Sequence, residues 1–374
     1  MATRRGFLKS SLSACWTGAA LLEQSVFRAT QARAQARPGM RSLFDIQKVA
    51  DGVYAAIAKP AAVLNCNAAI FENAEDLLVV DKHSKPSAVV ALVSQLKAEV
   101  TKKPVKYIVN SHFHWDHSQG TSAYRKMNPH AQVISSEATR RLLSENGAAR
   151  LKASLEQVRG NLDVVEQRRS RSKDAAEIQR LQELSAGMKA YLAEMNNYTP
   201  ELPDLTFDRD LILHDKAHDL HLAFRGRAHT MGDIVVFCPQ KKVVATGDMI
   251  HSMLPFIGDG FPHDWPKTMR SIAEMSFDAV AGGHGPVQQG KARLLDMASY
   301  IEEVTNRVER EKEKSVEQLQ ASIVPASLKT LSGEYGKFLL QNFSGPGSSG
   351  DPKAAMAASV RSNVAQVHER LKAG

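Results

Sequence analysis

The stretch NSHFHWDHSQG at residues 110–120 decides how the whole chain is interpreted. It follows the apolar run 105–109 and places four potential metal ligands within six positions, namely His112, His114, Asp116 and His117. Residues two apart in extended backbone project to the same side, so His112 and His114 can face one point. Asp116 and His117 come where the chain is expected to turn, and they can face a second point nearby. Imidazole and carboxylate are ligands of catalytic zinc, which also keeps one position open for water.

Three further candidate ligands lie downstream, each after a short apolar run and beside glycine or another small residue. They are His229 in GRAHTMGD, Asp248 in VVATGDMIH and His284 in AVAGGHGPV. This pattern predicts that all the ligands lie at the same ends of neighbouring strands, where α/β sheets carry their ligand sites. The small residues would let backbone and metal approach closely.

The ordered pattern of these motifs resembles that of the metallo-β-lactamase superfamily, over roughly residues 81–285. The resemblance implies that one metal ion is held by His112, His114 and His229. It implies that a second is held by Asp116, His117 and His284, and that Asp248 bridges the two. Asp81, which ends the apolar run 77–80, resembles the family's structural Asp near the site. A lone His or Asp after a strand is more often a turn residue, but a degenerate member would have lost ligands, and all seven are present.

The resemblance also implies an α/β fold, a four-layer αββα sandwich with a helical insertion and C-terminal helices. We expect a fold domain at 37–344, an insertion at about 140–200, and a flexible break with a last helix at 345–374. Within the insertion, two apolar stripes predict two helices separated by the polar stretch 166–174. A lid or wall beside the site, a dimer surface and a plain helical cover all fit these stripes. Helical spacing is also predicted at 87–99, from 291 to about 320, and at 353–371.

Residues 1–36 resemble a twin-arginine export signal, with TRRGFLK at 3–9, an apolar segment at 12–22 and small-x-small cleavage options at 32–36. We therefore expect a periplasmic or secreted protein. Leu12 to Cys15 also resembles a lipoprotein box, but the apolar stretch before it is very short. A lipid anchor at Cys15 is therefore the less favoured alternative.

Composition places the 374-residue chain among globular proteins, with 43% hydrophobic and 24% charged residues. No apolar run approaches 18 residues, which argues against stable membrane insertion. The formal charge of +8 falls to +4 without the first 36 residues, which hold five Lys or Arg and one Glu. No aromatic-basic motif accompanies it, so we expect no nucleic-acid partner. Cys66 and Cys238 are too few for a disulfide framework and are predicted to be buried core residues.

The segment 253–265 is rich in glycine, proline and aromatic residues and is expected near the mouth of the site. Phe256, Phe261 and Trp265 could form an apolar wall for substrate or could pack the loop down. His251 and His263 are candidates for substrate contacts, although extra histidines of this kind are usually just polar loop residues.

The resemblance implies a hydrolase with two Zn²⁺ per chain, in which a metal-bound hydroxide attacks a small ester, thioester, lactone or lactam. No G-x-S-x-G elbow competes as a nucleophile. Three alternatives stay open: a mononuclear iron enzyme like a persulfide oxygenase, a phosphodiesterase or nuclease of the same superfamily, and a non-catalytic binding protein with this fold. The expected partner is a small-molecule substrate, and a homo-oligomer through the insertion remains an open alternative.

Overall fold

A computed structural model describes residues 42–59, 65–343 and 351–373. The export motif, Cys15 and the glycine-rich break at 345–350 therefore lie outside the described residues. So does the short apolar run 62–64. The predicted domain limits near 36 and 344 stay predictions.

Two sheets form the centre of the fold. The first has seven strands in chain order: β1 (Phe44–Ala50), β2 (Val53–Ala58), β3 (Ala68–Glu72), β4 (Leu77–Val80), β5 (Val105–Val109), β6 (Gln132–Ser136) and β7 (Leu205–Phe207). The second has six strands: β8 (Asp210–His214), β9 (Asp219–Ala223), β10 (Val235–Cys238), β11 (Val243–His251), β12 (Ala279–His284) and β13 (Gln288–Gln289). β1 to β4 pair antiparallel and β4 to β7 parallel. In the second sheet the order is β13-β12-β11-β10-β9-β8, with β11 and β12 parallel.

Helices cover both outer faces. They are α1 (Pro86–Glu99), α2 (Trp115–Ser118), α3 (Thr121–Met127), α4 (Glu137–Arg171), α5 (Ala175–Met195), α6 (Trp265–Ala273), α7 (Ala292–Arg310), α8 (Val316–Thr330), α9 (Glu334–Phe343) and α10 (Pro352–Ala373). α1 and α3 pack on the first sheet, and α6 to α10 pack on the second. The predicted αββα sandwich with a helical insertion and C-terminal helices is confirmed. None of the helices in the described ranges is both long enough and apolar enough to cross a membrane.

The alternation of side chains along β3 and β4 explains why both strands are apolar except at Glu72, the last residue of β3. Ile70 and Val79 face outward into the layer that α1 covers, whereas Phe71, Leu78 and Val80 face inward between the sheets. A strand with both faces covered needs no polar alternation, since each side chain enters one of two cores. Each of these short apolar strands therefore contributes side chains both to the core under α1 and to the core between the sheets.

Strand β1 was not among the elements predicted from the sequence. Two local predictions need correction. The helix predicted from 291 to about 320 ends at Arg310, because Ser315 and Gln318 form a capping box that starts α8 anew. In the insertion, α4 continues through most of the polar stretch 166–174 to Arg171. Its break is confined to three residues, since Asp174 caps α5 by accepting from the amides of Ala176 and Glu177.

Lys82 is a buried lysine two residues after β4. Its side chain is 0% exposed, and its ammonium donates to the hydroxyl of Thr121. Its amide donates to the carbonyl of His117 at 3.0 Å, which ties this segment to the histidine motif. Burial lowers the pKa of Lys82 from 10.5 to about 7.

Replacing Lys82 with Met should flatten the pH dependence of stability. Between pH 7 and pH 10.5 the folded protein binds fewer protons at Lys82 than the unfolded chain does. The wild-type free energy of unfolding therefore falls as the pH decreases through this window, by at most about 1.4 kcal/mol per pH unit. The stability of Lys82→Met relative to wild type should be greatest near pH 7 and should decline towards pH 10.5. Urea unfolding of both proteins at several pH values measures this, with Lys97→Met on the exposed face of α1 as control. An unchanging difference across the window would contradict the prediction.

Candidate metal centre

The histidine motif bends where β5 ends. Its chain leaves the sheet at Val109 and reaches the short helix α2, for which His114 is the N-cap. His112 and His114 lie before this helix, and Asp116 and His117 lie within it. The predicted turn between the two ligand pairs is therefore one turn of helix, which sends the second pair towards a different point.

One cluster contains His112, His114 and His229, whose ligand nitrogens all lie within 4.8 Å of one another. Nε2 of His229 and Nδ1 of His114 are 2.9 Å apart. The other nitrogen of each ring faces an oxygen that only accepts: the carbonyl of Phe256, 3.1 Å from His229, and the carboxylate of Asp259, 2.9 Å from His114. In the neutral rings those outer nitrogens carry the hydrogens, so two lone pairs face each other. Nε2 of His112 is buried without a hydrogen-bond partner, which completes a donor set suited to a cation.

The second cluster contains Asp116, His117, Asp248 and His284, again with ligand atoms within 4.8 Å. Nε2 of His117 lies 3.2 Å from Asp248, 3.3 Å from His284 and 3.4 Å from Asp116. Nδ1 of His117 lies 2.8 Å from the Asp81 carboxylate and donates to it, so Nε2 is the ring nitrogen that faces this group. Two carboxylates and two imidazoles in a buried space require a positive charge among them.

Asp248 contacts both clusters. Its Oδ1 lies 3.2 Å from His117 in the second cluster, and its Oδ2 lies 3.7 Å from His229 in the first. The side chain is only 6% exposed. This position fits the bridging role that the sequence resemblance implied.

The seven candidate ligands come from both sheets, which corrects one prediction. They do not lie at the ends of neighbouring strands of a single sheet. His112 to His117 follow β5 of the first sheet, whereas Asp248 and His284 belong to β11 and β12 of the second. His229 lies in the loop between β9 and β10. The site is thus formed at one edge of the sandwich, where the two sheets meet.

Comparison with known proteins identifies this arrangement. The sequence model of the metallo-beta-lactamase superfamily matches residues 62–284. The chain belongs to the metallo-β-lactamase superfamily. A solved structure titled "Metallo-beta-lactamase from Pontibacter korlensis" is similar to it, with a TM-score of 0.49 and 18% identity, covering 68% of this chain and 99% of that chain.

Partners outside the ligand set orient the rings, as in many metal sites. Asp81, expected from the superfamily resemblance, accepts from His117 and is itself held by the amide and hydroxyl of Ser111 at 2.8 and 2.9 Å. Ser111 also lies 3.0 Å from Nδ1 of His112. Asn67 donates to the carbonyls of Gly282 and Gly285 at 3.1 and 2.7 Å, and thereby fixes the turn that carries His284. Sequence reasoning missed Ser111, Asn67 and Asp259 because nothing in their spacing relates them to a ligand.

The electrostatics of the two clusters differ. Burial, reinforced by the neighbouring imidazoles, lowers the pKa of His112 and His229 well below the usual value. Burial acts in the same direction on His117, but the carboxylates around it, with Asp248 the strongest, raise its pKa well above the usual value. Burial would raise the pKa of Asp248, but His117 and His284 hold it well below the usual range. His112 and His229 therefore offer neutral imidazoles to the first cluster, and the second cluster favours a positive charge at its centre.

Some of the remaining sequence candidates border the site, and the others lie away from it. His251 is only 3% exposed, and its ring stacks on that of His284 with centroids 5.6 Å apart, so it belongs to the site. His263 is half exposed and pairs with Glu309 at 3.6 Å. Phe256 borders the first cluster at 6.0 Å from His114, whereas Trp265 is fully buried and packs the loop down. Phe261 lies under the guanidinium of Arg227 at 4.4 Å.

The two remaining cysteines are buried, as predicted. Cys238 lies in the core between the sheets. Cys66 lies beside the second cluster, where its sulfur, a carboxylate oxygen of Asp81 and a ring nitrogen of His117 all lie within 4.8 Å of one another. Burial raises the pKa of the Cys66 thiol to about 12, so it is a neutral neighbour of His117.

The helical insertion is a wall beside the site. Tyr191 on α5 packs against Trp115, with ring centroids 5.9 Å apart, and Arg150 on α4 lies 4.5 Å above the ring of Phe113. Both aromatic residues alternate with the ligands of the HxHxDH motif. Phe113 and Trp115 thus pack against the hairpin formed by α4 and α5, whereas the ligands of the motif face the opposite way.

Gly283 leaves the space that Asp248 occupies. A Cβ at residue 283 would lie 2.1 Å from Oδ1 of Asp248 and 2.8 Å from the His117 ring, too close for either to stay in place. Gly283→Ala should therefore weaken metal binding by about 10-fold or more by displacing the Asp248 carboxylate. Chelator competition on the purified protein measures this affinity. Gly333→Ala is the control, since a Cβ there meets nothing within 4 Å. Unchanged affinity in Gly283→Ala would show that Asp248 is not a ligand.

Proposed function

We propose that this protein is an exported dinuclear zinc hydrolase that cleaves a small ester, thioester, lactone or lactam. The observation that supports this most strongly is the convergence of seven imidazole and carboxylate side chains in two clusters joined by Asp248. Nitrogen and oxygen ligands in sets of three and four, with partly accessible members, are typical of catalytic zinc.

The open side of the site lies at the second cluster. Asp116 and His284 have side chains 19% and 18% exposed, whereas His117 and Asp248 are 0% and 6% exposed. Substrate would therefore approach Asp116 and His284 first. Zinc, when bound, lowers the pKa of a coordinated water towards neutrality and polarises a carbonyl group.

The chain's own residues would position the reactants. The Asp116 carboxylate lies at the accessible edge, 3.1 Å from Nε2 of His284, where it can accept a hydrogen bond from an attacking water and orient it. Phe256 places apolar surface beside His114, which limits the entry of other water molecules. Asp248 keeps the two clusters at a fixed separation.

Asp116→Ala should abolish turnover on any true substrate. The test is a panel of lactams, lactones, thioesters and phosphoesters assayed with metal-loaded wild-type protein, and metal analysis accompanies it. Asp116→Asn keeps the size of the side chain and should lose at least 100-fold in kcat, because the amide is a poorer acceptor for the attacking water. His263→Ala, at an exposed site, is the control.

The outcomes of the panel also separate the alternatives. One iron per chain would instead favour the persulfide-oxygenase-like enzyme, and turnover of phosphodiesters alone would favour the nuclease class. Metal binding without turnover of any substrate would favour a binding protein. Full activity in Asp116→Ala would overturn the assignment of the site.

We also propose that the twin-arginine motif exports the chain to the periplasm or beyond. Replacing Arg4 and Arg5 with Lys should keep the protein in the cytoplasm with its signal uncleaved, because the receptor reads the arginine pair. Fractionation of cells and the mass of the purified chain measure this. Arg28→Lys, outside the motif, is the control. Normal export of the double variant would contradict the proposal.

A further inference from the structure

The loop 252–264, between β11 and α6, supplies the partners of two histidines in the first cluster. The carbonyl of Phe256 accepts from Nδ1 of His229 at 3.1 Å, and the carboxylate of Asp259 accepts from Nε2 of His114 at 2.9 Å. These bonds fix the tautomer of each ring and the direction of the nitrogen that faces the metal position. The position of this loop therefore determines the geometry of the tri-histidine cluster.

The helical insertion holds this loop from one side. Arg150 on α4 donates from Nη1 and Nη2 to the two oxygens of Asp259, at 3.0 and 2.6 Å. A contact of two parallel hydrogen bonds fixes the plane of the carboxylate as well as its distance. The Asp259 carboxylate thus accepts from Arg150 and from His114 at the same time, so the insertion fixes the acceptor of a ring nitrogen in the first cluster.

The C-terminal helix holds the same loop from the other side. The side-chain oxygen of Gln366 on α10 accepts from the amide of Ile257 at 2.8 Å, and Nε of Arg370 donates to the carbonyl of Gly260 at 2.8 Å. Gln366 is only 5% exposed. A buried loop backbone has few other partners for these groups, so the two bonds select one loop conformation. α10 lies outside residues 62–284, which the superfamily model matches.

We propose that Arg150, Gln366 and Arg370 are positioning residues, which set the metal affinity of the His112–His114–His229 cluster by fixing the loop 252–264. This inference rests on the metal centre of the proposed function. The second cluster should not respond, since His117 is oriented by Asp81, and Asp81 is held by Ser111 of the first sheet's loop. A merely structural role would lower the stability of the fold and weaken both clusters together.

The test compares two variants with matched controls in the full chain. Arg150→Met removes the two hydrogen bonds from the insertion to Asp259. Its control is Arg169→Met on the same helix, which removes an ion pair of similar length to Glu166, far from the loop. Gln366→Met removes the hydrogen bond between α10 and the amide of Ile257. Its control is Gln320→Met on α8, which removes a single side-chain hydrogen bond to the carbonyl of Arg361. Each is made in two backgrounds: His284→Ala, which leaves the tri-histidine cluster intact, and His112→Ala, which leaves the second cluster.

Zn²⁺ affinity by chelator competition, Co²⁺ absorption spectra and urea unfolding are the measurements. In the His284→Ala background, Arg150→Met and Gln366→Met should each weaken Zn²⁺ binding about 10- to 100-fold and change the Co²⁺ spectrum. In the His112→Ala background their affinity should stay within twofold of the parent, as should that of both controls in either background. Arg150→Lys keeps the charge without the two-point contact and should restore only part of the affinity.

Equal weakening in both backgrounds, or no weakening in the His284→Ala background, would overturn the inference. Failure of the wild type to bind any metal would overturn both this inference and the proposed function. Selective weakening in a protein that hydrolyses no member of the substrate panel would support the inference and reject the hydrolase.

Discussion

The structure depends on buried imidazoles and carboxylates whose close approach is favourable only with a cation among them. Ring nitrogens of His114 and His229 face each other at 2.9 Å, and Nε2 of His117 lies 3.2 and 3.4 Å from two carboxylates. Such an arrangement is costly in a low-dielectric interior without compensating charge. The rest of the fold keeps these groups from relaxing away from each other. Each orienting hydrogen bond, such as that from His117 to Asp81, prevents a ring from rotating into a conformation of lower energy.

The sandwich makes this arrangement rigid. The ligands follow strands whose side chains fill a common core between the sheets, so the two halves of the site cannot separate without opening that core. Gly247 within β11, and Gly282 and Gly283 near the end of β12, allow the strands to approach until Asp248 reaches both clusters. Gly247 also has a φ of +52°, where any other residue would be strained, and a Cβ there would lie 2.1 Å from the Ser111 hydroxyl.

The additions to the sandwich take part in the site rather than only covering it. The hairpin of α4 and α5 packs on Phe113 and Trp115, and its Arg150 reaches the carboxylate behind His114. The C-terminal helix reaches the same loop through Gln366. Residues from two distant parts of the chain thereby fix one short loop. This explains how an insertion and a C-terminal extension can influence a metal centre whose ligands all lie elsewhere.

The sequence by itself determined the ligand candidates, because HxHxDH and the Gly-flanked His and Asp are local patterns with few other uses. It also predicted the sandwich, whose strands have local apolar signatures, through the resemblance of those motifs. It could not place the ligands on two sheets, since strand order is set by long-range packing. Nor could it find Asp259, Ser111 or Gln366, which look like ordinary polar residues in the sequence. Their partners lie far along the chain, and hydrogen bonds between such distant groups exist only once tertiary packing has brought their elements together.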